Sequence, residues 1–480
     1  MISLLSAELF RLELHARIPF RYGIATLTDV PHLILRATFD LNGRAESGVA
    51  ADSLPPKWFT KDPARALADE IDEMLRVIRA AVRHARGVRA ATPFAFWREL
   101  YGAQSAWAAT EGLPPLLAHF GTSFVERVLV HAVCRARRAG LATVLHENLL
   151  GIDLGAVHRP LAGSAPRDWL PAAPPPQVFA RHTVGLADAI VATDLAPGER
   201  VDDGLPQTLQ ECIRFYGLRH FKIKINGDAP RDRARLERMA AVLAAECGGE
   251  DFAFSLDGNE AFHTSSSFAE YFRELRARPS LAALWPHLLY IEQPWHRNVA
   301  LAPAMADLAR AWPERPPVII DESDAEIASL PTALALGYAG TSHKNCKGVF
   351  KGIANACLIA QRRAARQPAV LSGEDLCSVG PISPIQDLAV QAALGVTSVE
   401  RNGHHYFAGL AQFPTALQQH ALAQHPDLYV RHDAGRSTGL TGAWPRLDIR
   451  DGQLAMGSVN AAPFGVPGEP DFSQIPRESL

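Results

Sequence analysis

The sequence predicts an α/β protein: a (β/α) barrel of the modified TIM type with an α+β capping domain. Three observations carry that expectation. From about residue 178 onward, short apolar runs recur with amphipathic stretches between them. The residues ending successive runs, Lys222, Asp257, Glu292, Asp321 and Lys344, lie 35, 35, 29 and 23 positions apart, each interval long enough for one strand, one helix and two loops. The first 150 residues lack this rhythm and read as strands followed by helices.

Taken in order, Leu9-Phe10-Arg11-Leu12-Glu13-Leu14 alternates as a half-buried strand does. A second strand over 32–39 is followed by Asn42-Gly43, a hairpin signal, and a return strand near 45–51. Between 62 and 86, Leu67, Ile71, Leu75, Ile78 and Val82 recur at helical spacing, with Asp62-Pro63 read as the helix start. Another helix is expected over about 116–139. Residues 1–150 are thus read as the α+β cap. The polar stretch 151–177, with Pro174-Pro175-Pro176, is read as a connector. Eight strand candidates follow, at 181–186, 221–225, 253–257, 288–292, 318–321, 340–344, 369–372 and 397–400, which makes 178–414 the barrel. The tail, 415–480, breaks the rhythm with Gly465-Val466-Pro467-Gly468 and is expected to return to the cap.

Composition excludes several classes. The chain has 480 residues, 48 Lys+Arg against 51 Asp+Glu, a net charge of -3, 48% apolar and 21% charged residues. That balance gives no general attraction to nucleic acid or an anionic membrane. No run reaches the roughly 18–20 apolar residues of a membrane span, and residues 1–17 alternate instead of forming a signal core, so a cytoplasmic protein is expected. Six cysteines without a CxxC pair suggest neither a zinc ribbon nor a disulfide framework. Lysine occurs at only seven positions, 57, 61, 222, 224, 344, 347 and 351. In a chain that otherwise uses arginine, a lysine is a candidate for work that guanidinium cannot do, because an amine can be desolvated until it loses its proton.

Four candidate strands end in chemistry-bearing groups: Phe221-Lys222-Ile223-Lys224, Leu256-Asp257-Gly258-Asn259, Tyr290-Ile291-Glu292-Gln293 and Ile320-Asp321-Glu322-Ser323. C-terminal strand ends converge on one face of a barrel, so Asp257, Glu292 and Asp321 become neighbours. Three hard oxygen donors suit octahedral Mg²⁺ with positions open to water or substrate. Lys222 and Lys224 share one strand face, and each is expected to disfavour the other's charge and free Lys224 to accept a proton. Lys344, four strands further on, would stand across the lumen. Two amines about a metal-bound carboxylate suit removal and return of its α-proton. Lys351 reads as a solvated helix-start lysine, and Lys57 and Trp58 read as substrate contacts from a cap loop.

At these residues the chain resembles the enolase superfamily, in the mandelate racemase/muconate lactonizing enzyme branch with the lysine pattern of muconate cycloisomerases. The resemblance runs from Pro19-Phe20-Arg21-Tyr22-Gly23-Ile24-Ala25-Thr26, through the KxK pair, Asp257-x-Asn259, Glu292-Gln293-Pro294, Asp321-Glu322-Ser323 and Lys344, to Pro463-Phe464-Gly465-Val466. It implies one Mg²⁺ per subunit on Asp257, Glu292 and Asp321, and Lys224 and Lys344 as the acid/base pair tuned by Lys222. Asn259, Glu322, Lys347, Glu374, His404, Tyr22 and Trp58 are the implied substrate contacts, with Lys347 favouring an additional anionic or hydroxylated group. The reaction implied is abstraction of a proton α to a carboxylate to give a metal-stabilised enediolate, followed by racemisation or epimerisation, cycloisomerisation or elimination. An acid-sugar dehydratase and a catalytically silent barrel serving as a binding module are the alternatives. Partners implied are a small carboxylate substrate and further copies of the chain in a homo-oligomer. No acidic pair of the dipeptide-epimerase kind ends strand eight, which reads Val399-Glu400-Arg401-Asn402.

Overall fold

The computed structural model describes the chain except for residues 23, 249–250, 307 and 434–441, and the side chains of 22 and 311. Strands β1 (Ile2–Tyr22), β2 (Ala25–Leu41) and β3 (Ala45–Ser53) form an antiparallel meander. The β2–β3 turn is Asn42-Gly43, both residues at positive φ, which matches the twist of a tight hairpin. Leu33, Ile34 and Leu35 are all buried, so the middle of β2 is covered on both faces. The helix Pro115–Arg137 packs on this sheet closely enough that a Cβ on Gly48 would lie 2.2 Å from the Val128 carbonyl oxygen.

The barrel is made by β4 (Gln177–Val184), β5 (His220–Lys224), β6 (Ala253–Asp257), β7 (Leu288–Glu292), β8 (Val318–Ile320), β9 (Gly340–His343), β10 (Val370–Gly373) and β11 (Ser398–Arg401). Each is parallel to the next, and β11 closes on β4 with Val399 opposite Ala180. Every one of the eight expected strands is present, with ends shifted by a few residues at most. Gly340, at φ +157°, sits where a Cβ would be 1.8 Å from the Val370 carbonyl oxygen, so β9 and β10 require glycine there. After the barrel come the helix Thr415–Gln424, the antiparallel pair β12 (Tyr429–Asp433) and β13 (Ala443–Leu447), and β14 (Gln453–Ala455) on the N-terminal end of β4. The last strand, β15 (Arg477–Glu478), adds to the edge of β1.

Polar contacts join the two halves. Arg17 on β1 forks onto Asp203 and donates to the carbonyls of Pro206 and His405. Buried Glu126, in the middle of Pro115–Arg137, accepts from the Val349 N–H at the start of the barrel helix Val349–Ala364. Gln386 donates to the Val49 carbonyl of β3 at 2.7 Å.

Three local expectations are corrected. The first cap helix is Leu67–Gly87, beginning five residues after Asp62. The Asp62 carboxylate accepts instead from Ala64 N–H, while the Lys57 amine holds the Asp62 and Arg65 carbonyls, so the intervening chain is tied into a separate turn. The helix Pro93–Thr110, capped by Thr92, was not anticipated. Lys351 is buried rather than solvated, because Asp324 supplies a carboxylate oxygen at 2.9 Å and a carbonyl beneath the barrel helix.

Candidate active site

The lumen at the C-terminal end of the barrel strands is a charged core. Alternation along β5 turns Lys222 inward, and its Nζ lies 2.8 Å from Glu292 Oε1, 3.0 Å from Glu374 Oε2, 3.1 Å from Glu400 Oε2 and 3.2 Å from Asp257 Oδ2. Lys224, two residues nearer the mouth, contacts Asp257 Oδ2 at 3.1 Å and Asn259 Oδ1 at 2.8 Å. Lys344, the first residue after β9, reaches Asp321 Oδ2 at 2.5 Å and Glu374 Oε2 at 2.8 Å, with its amine 5.0 Å from the Trp58 ring centroid. Arg181 of β4 closes the floor against Ser372 and Glu374.

Local backbone geometry aims these groups. Asn259, Glu260 and Gln293, just beyond the strand ends, adopt positive φ (49°, 61° and 36°). Gln293 Oε1 accepts from the N–H groups of Asp321 and Ser323, while its amide donates to Ser323 Oγ and the Trp295 carbonyl, which fixes the turn after β8. Arg297 holds Glu260 through two donors and reaches the carbonyls of Trp58 and Phe59, so the cap loop is fastened to the barrel rim. Lys61 joins the same knot through Glu260 and the Asn259 carbonyl.

The electrostatics follow from this packing. Burial opposes the charge on Lys222, but Glu292, Glu374, Glu400 and Asp257 outweigh it and hold the amine well above its ordinary range. Lys344 behaves alike: burial opposes its charge, and Asp321 and Glu374 prevail. The expected mutual discharge of the KxK pair is therefore corrected for Lys222, whose carboxylate neighbours outnumber its lysine neighbour. Against the effect of burial, Lys224 and Lys222 hold Asp257 down to about 2. Burial and the nearby Glu374 push Glu292 well up, despite Lys222. Burial, with Asp321 close by, raises Glu322 to about 7.

A cavity opens above these groups. Lys222, Lys224, Asp257, Asp321, Glu322, Lys344 and Glu400 line its polar side, and Phe20, Leu27, Pro55, Trp58 and Leu376 its apolar side. The structure thus brings Lys222, Lys224, Lys344, Asp257, Asp321, Glu322 and Trp58 to one pocket. Glu292 and Glu374 lie beneath it, and Asn259 at its edge on Lys224. Lys347 does not reach the cavity; it donates to Asp321 Oδ1 at 3.0 Å and Ser342 Oγ at 2.9 Å, so its charge is used against a site carboxylate and not against a substrate group. Lys57 is likewise withdrawn, paired with Glu70 at 2.7 Å. His404 lies on the outer side of β4 beside His182, away from this cavity. The side chain of Tyr22 lies outside the described residues. Glu400, Asp375 and Arg181 were missed as site residues. The position of Glu400 at the end of a strand candidate was the available signal.

Glu292, Asp321 and Glu374 each offer an oxygen, and these all lie within 4.8 Å of one another. Glu292 Oε2 is buried without a hydrogen-bond partner among the described residues. A hard divalent cation would fit both observations, adding to the positive charge that Lys222 and Lys344 already bring to these oxygens. Glu374, expected to touch substrate, stands with Glu292 and Asp321 in this group, while Asp257 faces Lys222 and Lys224 at its side.

No family model and no curated protein matches the sequence. Solved structures do. A Bradyrhizobium enolase complexed with magnesium and mandelic acid is similar over 98% of this chain and 94% of its own, at 13% identity and a TM-score of 0.56. An N-succinyl Arg/Lys racemase from Bacillus cereus matches over 85% and 88%, at 15% identity and 0.56. A mandelate racemase/muconate lactonizing enzyme from Bordetella bronchiseptica matches over 98% and 97%, at 16% identity and 0.56. With eight parallel strands closed into a barrel beneath an antiparallel cap sheet, the chain shares the fold of these structures.

Proposed function

We propose that this protein is a Mg²⁺-dependent enzyme of the enolase superfamily that abstracts the proton α to a carboxylate. The observation that carries the reading is that Lys224, which ends the second of eight barrel strands, and Lys344, which follows the sixth, both line one cavity above convergent carboxylates. The similarity to a racemase and to a protein complexed with magnesium and mandelic acid supports it.

In this reading, Glu292 and Asp321 hold the cation together with Asp257 or Glu374. When bound, it supplies the positive charge that makes a carboxylate's α-hydrogen acidic. Lys224 takes the proton on one side of the substrate carbon, and Lys344, kept protonated by Asp321 and Glu374, delivers one on the other; it removes a proton only once Asp321 and Glu374 are drawn away from it to a bound cation. Lys222, fixed among four carboxylates, keeps the lumen near electrical balance. The Phe20, Leu27 and Trp58 wall excludes water from the reacting carbon and seats its substituent. Racemisation or epimerisation requires both lysines, whereas elimination or cycloisomerisation requires one and a suitable leaving group or acceptor. Lysine at 344 favours these outcomes over the dehydratase alternative, which commonly uses a histidine base.

Titration calorimetry with Mg²⁺ tests the metal half of the proposal. One equivalent should bind, and Glu292→Gln should abolish the signal with its circular dichroism unchanged. Undiminished binding to that folded variant would remove Glu292 from the ligand set.

A further inference from the structure

A second cluster of donor groups lies outside the barrel wall. Arg181 and Thr183 of β4 face the lumen, where they contact Glu374 and Glu400, so strand alternation turns His182 between them outward. Against that outer face lies the helix Leu209–Tyr216, which buries Cys212, and the turn Gly403–Tyr406, which brings His404 and His405. Cys212 Sγ is 3.5 Å from His405 Nδ1, and His182 Nδ1 is 3.2 Å from His404 Nε2. One donor atom from each of His182, Cys212 and His405 lies within 4.8 Å of the others.

We propose that His182, Cys212 and His405 bind a divalent transition metal of the zinc type, at a site separated from the lumen by strand β4. Metal-bound sulfur and imidazole nitrogen, at about 2.3 and 2.05 Å from a tetrahedral ion, stand about 3.5 Å apart, the separation found between Cys212 and His405. Mixed thiolate and imidazole donors select zinc, cobalt or copper over magnesium. His404 stands behind His182, its Nε2 3.2 Å from His182 Nδ1. If His182 donates Nδ1–H to His404, it keeps Nε2 for an ion, the outer-sphere arrangement that orients metal-bound histidines.

The surroundings accommodate the charge. Burial holds His182 and His405 down to about 3, so both imidazoles are neutral and carry a free lone pair. Burial pushes the Cys212 thiol up, and coordination would reverse this by releasing its proton to solvent. Asp188, anchored by Tyr406 and the Gly185 N–H, adds a negative charge nearby, and the charge of Arg17 is matched by Asp203. Because the His405 carbonyl holds Arg17 of β1 and the Tyr406 ring packs at a tilt against Phe20, an ion here would brace the strand that carries one wall of the active-site cavity.

The test uses the full-length protein, freed of metal with a chelator and titrated with Co²⁺ while excess Mg²⁺ occupies the lumen carboxylates. One equivalent of Co²⁺ should produce thiolate-to-cobalt absorption in the near ultraviolet and the visible bands of a four-coordinate ion. Cys212→Ser should lose the near-ultraviolet band, and His405→Gln should weaken Co²⁺ binding at least tenfold, each with Mg²⁺ affinity unchanged. Absence of the band in the wild-type protein would reduce the cluster to a Cys–His hydrogen bond. Its persistence in Cys212→Ser would assign it to another cysteine, and either result overturns the proposal. Neither result bears on the lumen chemistry.

Discussion

Replacing Lys222 by methionine keeps most of the side-chain volume and removes one charge from the centre of the barrel. Its amine has four carboxylate oxygens at 2.8–3.2 Å. At an effective dielectric constant of 20, each contact with an ionised carboxylate is an attraction of about 5 kcal/mol, and with Glu292 pushed toward its neutral form the other three give a gross attraction on the order of 15 kcal/mol. Most of that offsets the desolvation of the buried charges. What remains on removing one partner of such a cluster is a loss of about 3–5 kcal/mol, from carboxylates left without compensation. Lys222→Met should therefore lower the thermal midpoint of the protein by several degrees, followed by circular dichroism at 222 nm. Mg²⁺ at about 100 times its dissociation constant should return about 2.7 kcal/mol of stability, as it would for any ligand bound only by the native state. A variant as stable as the wild-type protein would refute the reasoning that Lys222 balances the lumen. A destabilisation indifferent to Mg²⁺ would separate the lysine from the metal site.

Gly340→Ala should prevent accumulation of folded protein or cost more than about 3 kcal/mol in chemical denaturation, since a Cβ there meets the Val370 carbonyl at 1.8 Å. Trp58→Ala should change relative activity among carboxylates with different α-substituents more than it changes Mg²⁺ affinity, because Trp58 lines the cavity without touching the carboxylate trio. Glu126 should impose a pH dependence on stability. Burial raises its carboxyl from 4.5 to about 8 in the folded chain, against opposing N–H donation from Val349. The unfolded chain releases that proton first, so stability attributable to Glu126 is full below about pH 4.5 and is lost as pH rises toward 8. At about 1.4 kcal/mol per unit, the effect is at most about 5 kcal/mol. Glu126→Gln should remove it, giving a shallower loss of midpoint temperature between pH 5 and 8 than the wild-type protein shows; parallel profiles would exclude Glu126 as its source.

The barrel was legible in the sequence because its strands are short apolar runs whose last residues carry the charge. Leu256-Asp257 and Ile291-Glu292 place both the strand and its chemically active end in one motif. Glu374 was legible as a site residue but not as a member of the convergent trio. It follows the end of β10, and only closure of the barrel shows its carboxylate passing beneath the cavity to Lys222 and Lys344. Lys351 and Lys57 were misread for the converse reason. Lys351 near a helix start reads as solvated and Lys57 in a loop as a substrate contact until their partners, Asp324 and Glu70, are brought in from a distant or separately folded segment. His404 was noticed, but the direction of its ring depends on the turn after β11, whose four residues have no periodicity to read.

The central claim is proton abstraction by Lys224 and Lys344. The most direct measurement is the exchange of α-hydrogen for deuterium by nuclear magnetic resonance, with a panel of carboxylic acids in D₂O. Mg²⁺-dependent exchange is expected with at least one acid, reduced by a factor of about 10² or more in Lys224→Ala and in Lys344→Ala, consistent with the loss of a general acid–base group. Exchange that persists in both variants, or that proceeds unchanged after chelation, would contradict it.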